Sequence, residues 1–275
     1  MKNSELRKIA RMSMKGKISK ASLYVALYTF FLGLLNTTPA GPVLGIPLSF
    51  GIIKLILNVQ KSEKTNAFDF FNHGIDNFGK VWCTYILIVL KALIPTLLAI
   101  VSFSFCGILE GEEINNILLI IGLIFTIVSM CIFLKYSLIN YEILYNPGLN
   151  VIEIIKKHEN IIKGNTCRII RMNLYYTIIK LFIICLIPAL SILSIMTIVD
   201  SFNEYEMAFI GIFLIIIIIG VMGILFAIAS ILITSVIEPR LIVSNNELYN
   251  YLIYKNEKKT NGHFGITSGS DEIKK

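Results

Sequence analysis

Two hydrophobic patterns alternate along the chain. Long stretches with almost no polar position run at about 21–36, 43–59, 81–104, 116–139, 169–198 and 208–237. Short amphipathic stretches stand between some of them. The clearest is NVIEIIKKHENIIKGNTCRIIR at 150–171, with apolar side chains at Val151, Ile154, Ile155, Ile161 and Ile162. That spacing predicts a helix with one apolar face. Asn150 with Glu153 three residues on predicts a reciprocal N-terminal cap. Gly164 predicts a helix end in the left-handed region. Such a helix, placed directly before an apolar run, reads as an interfacial helix feeding a membrane hairpin.

About 20 apolar residues cross a ~30 Å hydrocarbon core. The six runs therefore predict an all-α membrane protein with six transmembrane helices, one integral domain over 1–240. The second run holds Gly41, Pro42, Gly45, Pro47 and Gly51. It either crosses fully or is a broken, re-entrant segment, which is tolerated at depth only where protein or water covers it. A second amphipathic stretch, FDFFNHGIDNFG at 68–79, places Phe68, Phe71, Ile75 and Phe78 on one face, with Gly79 and Lys80 before the third run. A looser copy starts the chain: Ser4, Leu6, Ile9, Ala10, then Lys15, Gly16 and Lys17. The order of amphipathic helix, glycine, base and two spans thus occurs three times. It reads either as three repeats or as chance likeness among hydrophobic hairpins. Residues 241–275 are expected to form a cytoplasmic tail. Its start can be one more interfacial helix through Leu241, Leu248, Tyr251 and Leu252, and 255–275 is expected to be disordered.

Composition agrees with the pattern. The chain of 275 residues is 55% hydrophobic and 16% charged, against about 25% charged in soluble domains. Its mean hydropathy is +0.74. The net charge of +7 is accounted for by membrane orientation and does not call for nucleic acid. The connections near 105–115 and 199–207 carry Glu110, Glu112, Glu113, Asp200, Glu204 and Glu206 and no base. The opposite side holds Lys2, Arg7, Lys8, Arg11, Lys61, Lys64, Lys80, Lys156, Lys157, Lys163 and Arg168. Lys and Arg collect on the cytoplasmic side, so both termini are placed in the cytoplasm and the protein in the plasma membrane. The first run is expected to be retained as a helix and not cleaved as a signal peptide.

The stretches GPVLGIPLSFGIIKLILNVQKSEKTNAFDFFNHGIDNFGK, YNPGLNVIEIIKKHENIIKGNTCRII and SELRKIARMSMKGK resemble the bacterial family catalogued as domain of unknown function 975. The resemblance covers roughly residues 3–170 by motif; 171–240 are similar only as hydrophobic runs, and the tail after Pro239 departs from the pattern. What it implies is a multi-pass bacterial plasma-membrane protein with no assigned activity. A more distant likeness of architecture, to the membrane portion of some glycerophosphodiester phosphodiesterases, hints only at a lipid context, since fold does not set function.

Candidate chemistry is sparse. The five cysteines at 83, 106, 131, 167 and 185 contain no CxxC pair and read as small apolar residues, with no disulfide framework. His73, His158 and His263 are scattered, and the first two read as interfacial histidines. There is no HExxH, Walker A or GxSxG motif. No acidic residue lies clearly inside an apolar run, which argues against an ion-coupled carrier. No catalytic residue, metal or cofactor is therefore expected. Two lysines stand out. Lys91 lies 11 residues past Lys80 and Lys180 lies 9 past Arg171, roughly 16 Å and 13 Å into the core at ~1.5 Å per residue. Either they line a cationic cavity for an anionic group such as a lipid phosphate, or they snorkel to the cytoplasmic surface. Arg168 and Arg171, with Lys163, form a further basic cluster that anionic lipid would attract. The expected partners are membrane lipids, anionic at the cytoplasmic face. The expected function is that of a non-enzymatic accessory or lipid-interacting membrane protein. The alternative is a small transporter or channel for an anionic or amphiphilic solute.

Overall fold

The computed structural model describes residues 1–106, 112–199 and 208–264, with side chains from 183 to about 216 and beyond 257 outside the description. Among the described residues the chain is all-helical. Its elements are α1 (Asn3–Ser13), α2 (Ile18–Asn36), α3 (Ala40–Gln60), α4 (Asp69–Asp76), α5 (Phe78–Phe105), α6 (Glu112–Lys135), α7 (Ile139–Tyr145), α8 (Val151–Ile162), α9 (Thr166–Val199) and α10 (Ala208–Phe264). Short helices α1, α4 and α8 each precede a pair of long ones, and α7 is an additional short turn of helix.

Five stretches of helix are long and apolar enough to cross a membrane among the described residues: Ile18–Asn36, Ala40–Gln60, Phe78–Phe105, Glu113–Tyr145 and Gly223–Glu257. The expected run 169–198 falls on α9, whose later side chains lie outside the description. Many apolar side chains of α5 and α6 point outward. Ile86, Val89, Ile94 and Leu97 of α5 and Ile117, Ile120, Ile124 and Ile127 of α6 are all exposed. Contiguous apolar surface of this extent is disfavoured in water and suits hydrocarbon.

The chain divides into two compact units. One comprises Met1–Ile9, Gly79–Ile170 and the chain from Ser244; the other comprises Ala10–Phe78 and Arg171–Val243. In the second unit, α3 is one unbroken helix that carries Pro47 internally, so the broken form of the second run is not adopted. A proline in a helix removes one backbone bond and crowds the preceding turn; α3 nevertheless continues through Pro47. α4 docks on α3 through glycine. A Cβ on Gly51 would sit 2.0 Å from the Phe70 carbonyl oxygen, and a Cβ on Gly74 2.7 Å from that of Pro47. The buried side chain of α4 is Phe70, whereas Phe68 and Ile75, expected on its apolar face, are exposed. The rings of Phe68 and Phe71 meet Phe31 of α2 at 5.8 and 5.7 Å. Gly79 lies inside α5 and does not terminate α4, which ends at Asn77.

In the first unit, α8 starts as its residues dictate. The Asn150 side chain accepts from the Glu153 amide at 2.9 Å, and Glu153 accepts from the Asn150 amide at 3.0 Å. Gly164 follows the helix at φ +75°. The apolar face of α8 is not turned to a bilayer interface: Ile154, Ile155, His158, Ile161 and Ile162 are buried in protein. α10 runs on through Pro239 to Phe264. The stretch expected as an interfacial helix at 241–254 is thus continuous with the last long helix. Leu248, Tyr249 and Leu252 there are fully buried. Residues 255–264, expected to be disordered, continue the helix; 265–275 lie outside the described residues.

Candidate functional site: a tyrosine-centred cluster on α5, α6 and α8

Lys91, the base expected deep in an apolar run, does not stand alone. Its ammonium lies 2.6 Å from Glu159 Oε1 and donates to the Tyr136 hydroxyl at 3.0 Å. The Tyr136 hydroxyl in turn donates to Glu159 Oε1. The Tyr136 ring is also the floor of the cluster. Lys91 Nζ is 5.3 Å and Lys135 Nζ 5.4 Å from its centroid, within range of a cation–π attraction. His158 stacks on it, centroid to centroid at 5.6 Å.

Three elements bring these groups together. α5 supplies Lys91, the end of α6 supplies Lys135 and the residue after it, and α8 supplies His158 and Glu159 one residue apart. A one-residue step turns a helix by about 100°, so one side chain can enter the core while its neighbour stays at the rim. His158 is fully buried. Its Nε2 lies 3.3 Å from the Lys135 carbonyl, which can only accept, so Nε2 carries the proton and Nδ1 is a bare acceptor. Nδ1 has no hydrogen-bond partner among the described residues. Burial pushes the imidazole pKa down to about 4, against the opposing hydrogen bond to the Lys135 carbonyl; the Lys135 and Lys91 charges add to the fall and Glu159 opposes it. The hydrogen bonds from Lys91 and Tyr136 hold the Glu159 carboxyl below its ordinary range. The cluster is therefore two ammonium groups, one carboxylate and a neutral histidine.

A second polar cluster was not anticipated. Glu142 of α7 is fully buried. It accepts from the Tyr249 hydroxyl at 2.8 Å and from Asn146 Nδ2 at 2.8 Å, and lies 3.3 Å from Lys157 Nζ. The Tyr249 ring stacks on Tyr145 at 5.6 Å with 7° between planes. Tyr145 itself stays exposed and donates to Asn246 Oδ1 at 2.8 Å.

The other expected anion-binding bases have different partners. Lys180 lies 3.8 Å from Glu238 in the second unit. Arg168, in the first unit, donates to Asn3 Oδ1 at 2.8 Å and to the Met1 carbonyl, with its guanidinium 4.5 Å from the Tyr251 ring centre. It fastens the chain start to α10. Arg171 is exposed. Glu142 and Glu238 lie just past the ends of apolar runs, and spacing gives no signal that each meets a base on another helix.

No family model matches this chain, and neither a curated protein nor a solved structure does. Among the described residues the chain is an all-helical protein with five helices long and apolar enough to cross a membrane, and three acid–base pairs join its helices.

Proposed function

We propose that the chain is a non-enzymatic, multi-pass plasma-membrane protein that associates with lipid. Its termini, short helices and basic clusters face the cytoplasm, and it is built as six spans in three related segments; the resemblance to the family catalogued as domain of unknown function 975 implies the same multi-pass plasma-membrane setting. One observation carries the reading. The tyrosine-centred cluster puts an excess ammonium group where the end of α6 meets the middle of α5, beside apolar side chains that are exposed. That is the charge and hydrocarbon order of an anionic lipid. Lys91, Glu159 and Tyr136 satisfy one another, which is the arrangement of a structural anchor with a spare base, not of an activated nucleophile with its base. The test is the lipid that surrounds the protein in native-membrane discs extracted with a styrene–maleic acid copolymer. Enrichment of anionic phospholipid over the bulk membrane is expected; a bulk composition around the protein would refute lipid selection.

A second reading, a carrier for an anionic or amphiphilic solute, draws on the buried Glu142 and on the Lys180–Glu238 pair. Both acids lie at the ends of apolar runs, where a paired charge can stand at the mouth of a solute pathway. Uptake of labelled organic anions by proteoliposomes, driven by an imposed proton gradient and lost in Glu142→Gln, would favour it.

A further inference from the structure

The hairpin of α5 and α6 encloses a groove that the cluster above does not use. The two helices run antiparallel. Thr96 meets Ser129 with their hydroxyls 2.8 Å apart, Phe103 lies over Gly122, and the Cys106 thiol reaches the Asn115 carbonyl at 3.6 Å. Between them lies a groove of about 520 Å³ whose walls include Thr96, Ala99, Phe103, Ser129, Met130 and Phe133. That volume is in the range of small-ligand sites, about 300–1,000 Å³.

The groove is chemically one-sided. Its hydroxyls are already engaged: Thr96 donates to the Ala92 carbonyl at 2.7 Å and Thr126 to that of Gly122 at 2.8 Å. A polar solute would find little to exchange for its water there, whereas a hydrocarbon chain loses nothing. Its size depends on Gly122, where a Cβ would sit 2.8 Å from the Phe103 ring. The charged cluster begins just past one end of the groove. Lys135 follows the lining residues Phe133 and Leu134. Lys91 precedes Thr96 by five residues, roughly 7.5 Å along the helix. Lys91 and Lys135 lie 5.3 and 5.4 Å from the Tyr136 ring centre; the carboxylate of the cluster, Glu159, pairs with Lys91 at 2.6 Å, and the charge of Lys135 is offered to a ligand.

We propose that this groove binds one anionic phospholipid, with an acyl chain between α5 and α6 and the headgroup phosphate at Lys135, beside the Lys91–Tyr136–Glu159 cluster. This rests on the reading of the chain as a lipid-associating membrane protein and names the site. The occupant is set by charge and shape together. A neutral phospholipid fills the groove but leaves Lys135 without a counter-charge. Inorganic phosphate meets Lys135 but leaves the groove empty.

The test is binding of phosphatidylglycerol, phosphatidylcholine with the same chains, and inorganic phosphate to the purified full chain in neutral detergent, followed by native mass spectrometry and thermal unfolding. The parent is expected to bind phosphatidylglycerol more tightly than phosphatidylcholine, and inorganic phosphate not to stabilise it. Lys135→Met is expected to weaken phosphatidylglycerol about fivefold, the equivalent of one juxtamembrane base at about 1 kcal/mol, with phosphatidylcholine unchanged. Met130→Trp, which fills the groove from its rim, is expected to weaken both lipids. Ile94→Trp, on the outward face of α5 where the side chain is 70% exposed, is expected to weaken neither, and controls for added bulk. Parental phosphatidylglycerol binding by both Lys135→Met and Met130→Trp would overturn the groove. If native-membrane discs of those variants also stay enriched in anionic lipid, lipid association stands and only the site falls. Stabilisation by inorganic phosphate equal to that by phosphatidylglycerol would also overturn the proposal, since it would show an anion site that needs no chain.

Discussion

At the scale of single residues, the buried charges are unequal. Glu142 is sealed, while its partner Lys157 keeps its side chain 43% exposed. Lys157 can retreat to water when Glu142 is gone; Glu142 has no such exit when Lys157 is gone. Lys157→Met should therefore cost about 3–5 kcal/mol, as when a buried charge loses its counter-ion. Glu142→Gln keeps acceptors for Tyr249 and Asn146 and should cost about 1–3 kcal/mol at most. Thermal unfolding in detergent reads the difference, and a costlier Glu142→Gln would contradict this ordering. His158 has a different signature. Its folded pKa is about 4, below the roughly 6.5 of the free side chain. The unfolded chain thus binds the extra proton between those values. Stability is complete above about pH 6.5 and falls as pH drops toward 4, by at most about 1.4 kcal/mol per unit. Glu159, also shifted down, contributes to the slope only from the ordinary carboxylate range downward; between pH 5 and 7.5 His73, lowered by burial and Lys54, adds a slope of the same sign, so the His158 share is the difference between the parent and a variant without it. His158→Phe keeps the stack on Tyr136 and should make that slope shallower, leaving the His73 share. An unchanged slope would place the titration elsewhere.

Among the elements, the contact of α4 with α3 is the most demanding. No side chain fits at Gly51 or Gly74, because the partner atom is backbone and cannot turn away. Gly51→Ala should separate the helices at a cost of about 1–3 kcal/mol, the usual penalty of overpacking, and should speed proteolysis of the 61–66 connection. Gly33→Ala, where nothing lies within 4 Å, should be neutral or gain up to about 1 kcal/mol from helix propensity. Equal effects of the two would mean that the close approach does not hold α4. The same contact shows what a sequence reader can and cannot see. The cap of α8 and the turn at Gly164 depend on residues three or four apart, so the local pattern reveals them. The apolar stripe of α8 is visible too, but a stripe does not say whether lipid or protein covers it. The partners of α4 come from α2 and α3, and the choice of Phe70 over Phe71 as the inward ring follows from where those helices lie. Lys91 was recognisable as an unusual charge; Glu159 lies 68 residues away, and no spacing rule joins them. Glu142 and Tyr249 are 107 residues apart and were invisible for the same reason.

On the scale of the whole molecule, the account rests on long helices with apolar exteriors and on the side of the membrane that their ends occupy. Single cysteines in a background lacking the five native ones test this most directly, read with a membrane-impermeant maleimide in intact cells. Glu113→Cys, at the start of α6, should label from outside. Lys61→Cys, after α3, and Lys163→Cys, after α8, should label only once the cells are permeabilised. Labelling of Lys61→Cys and Lys163→Cys from outside, with Glu113→Cys protected, would reverse the orientation. Equal labelling of all three in intact cells would contradict a membrane-spanning protein altogether.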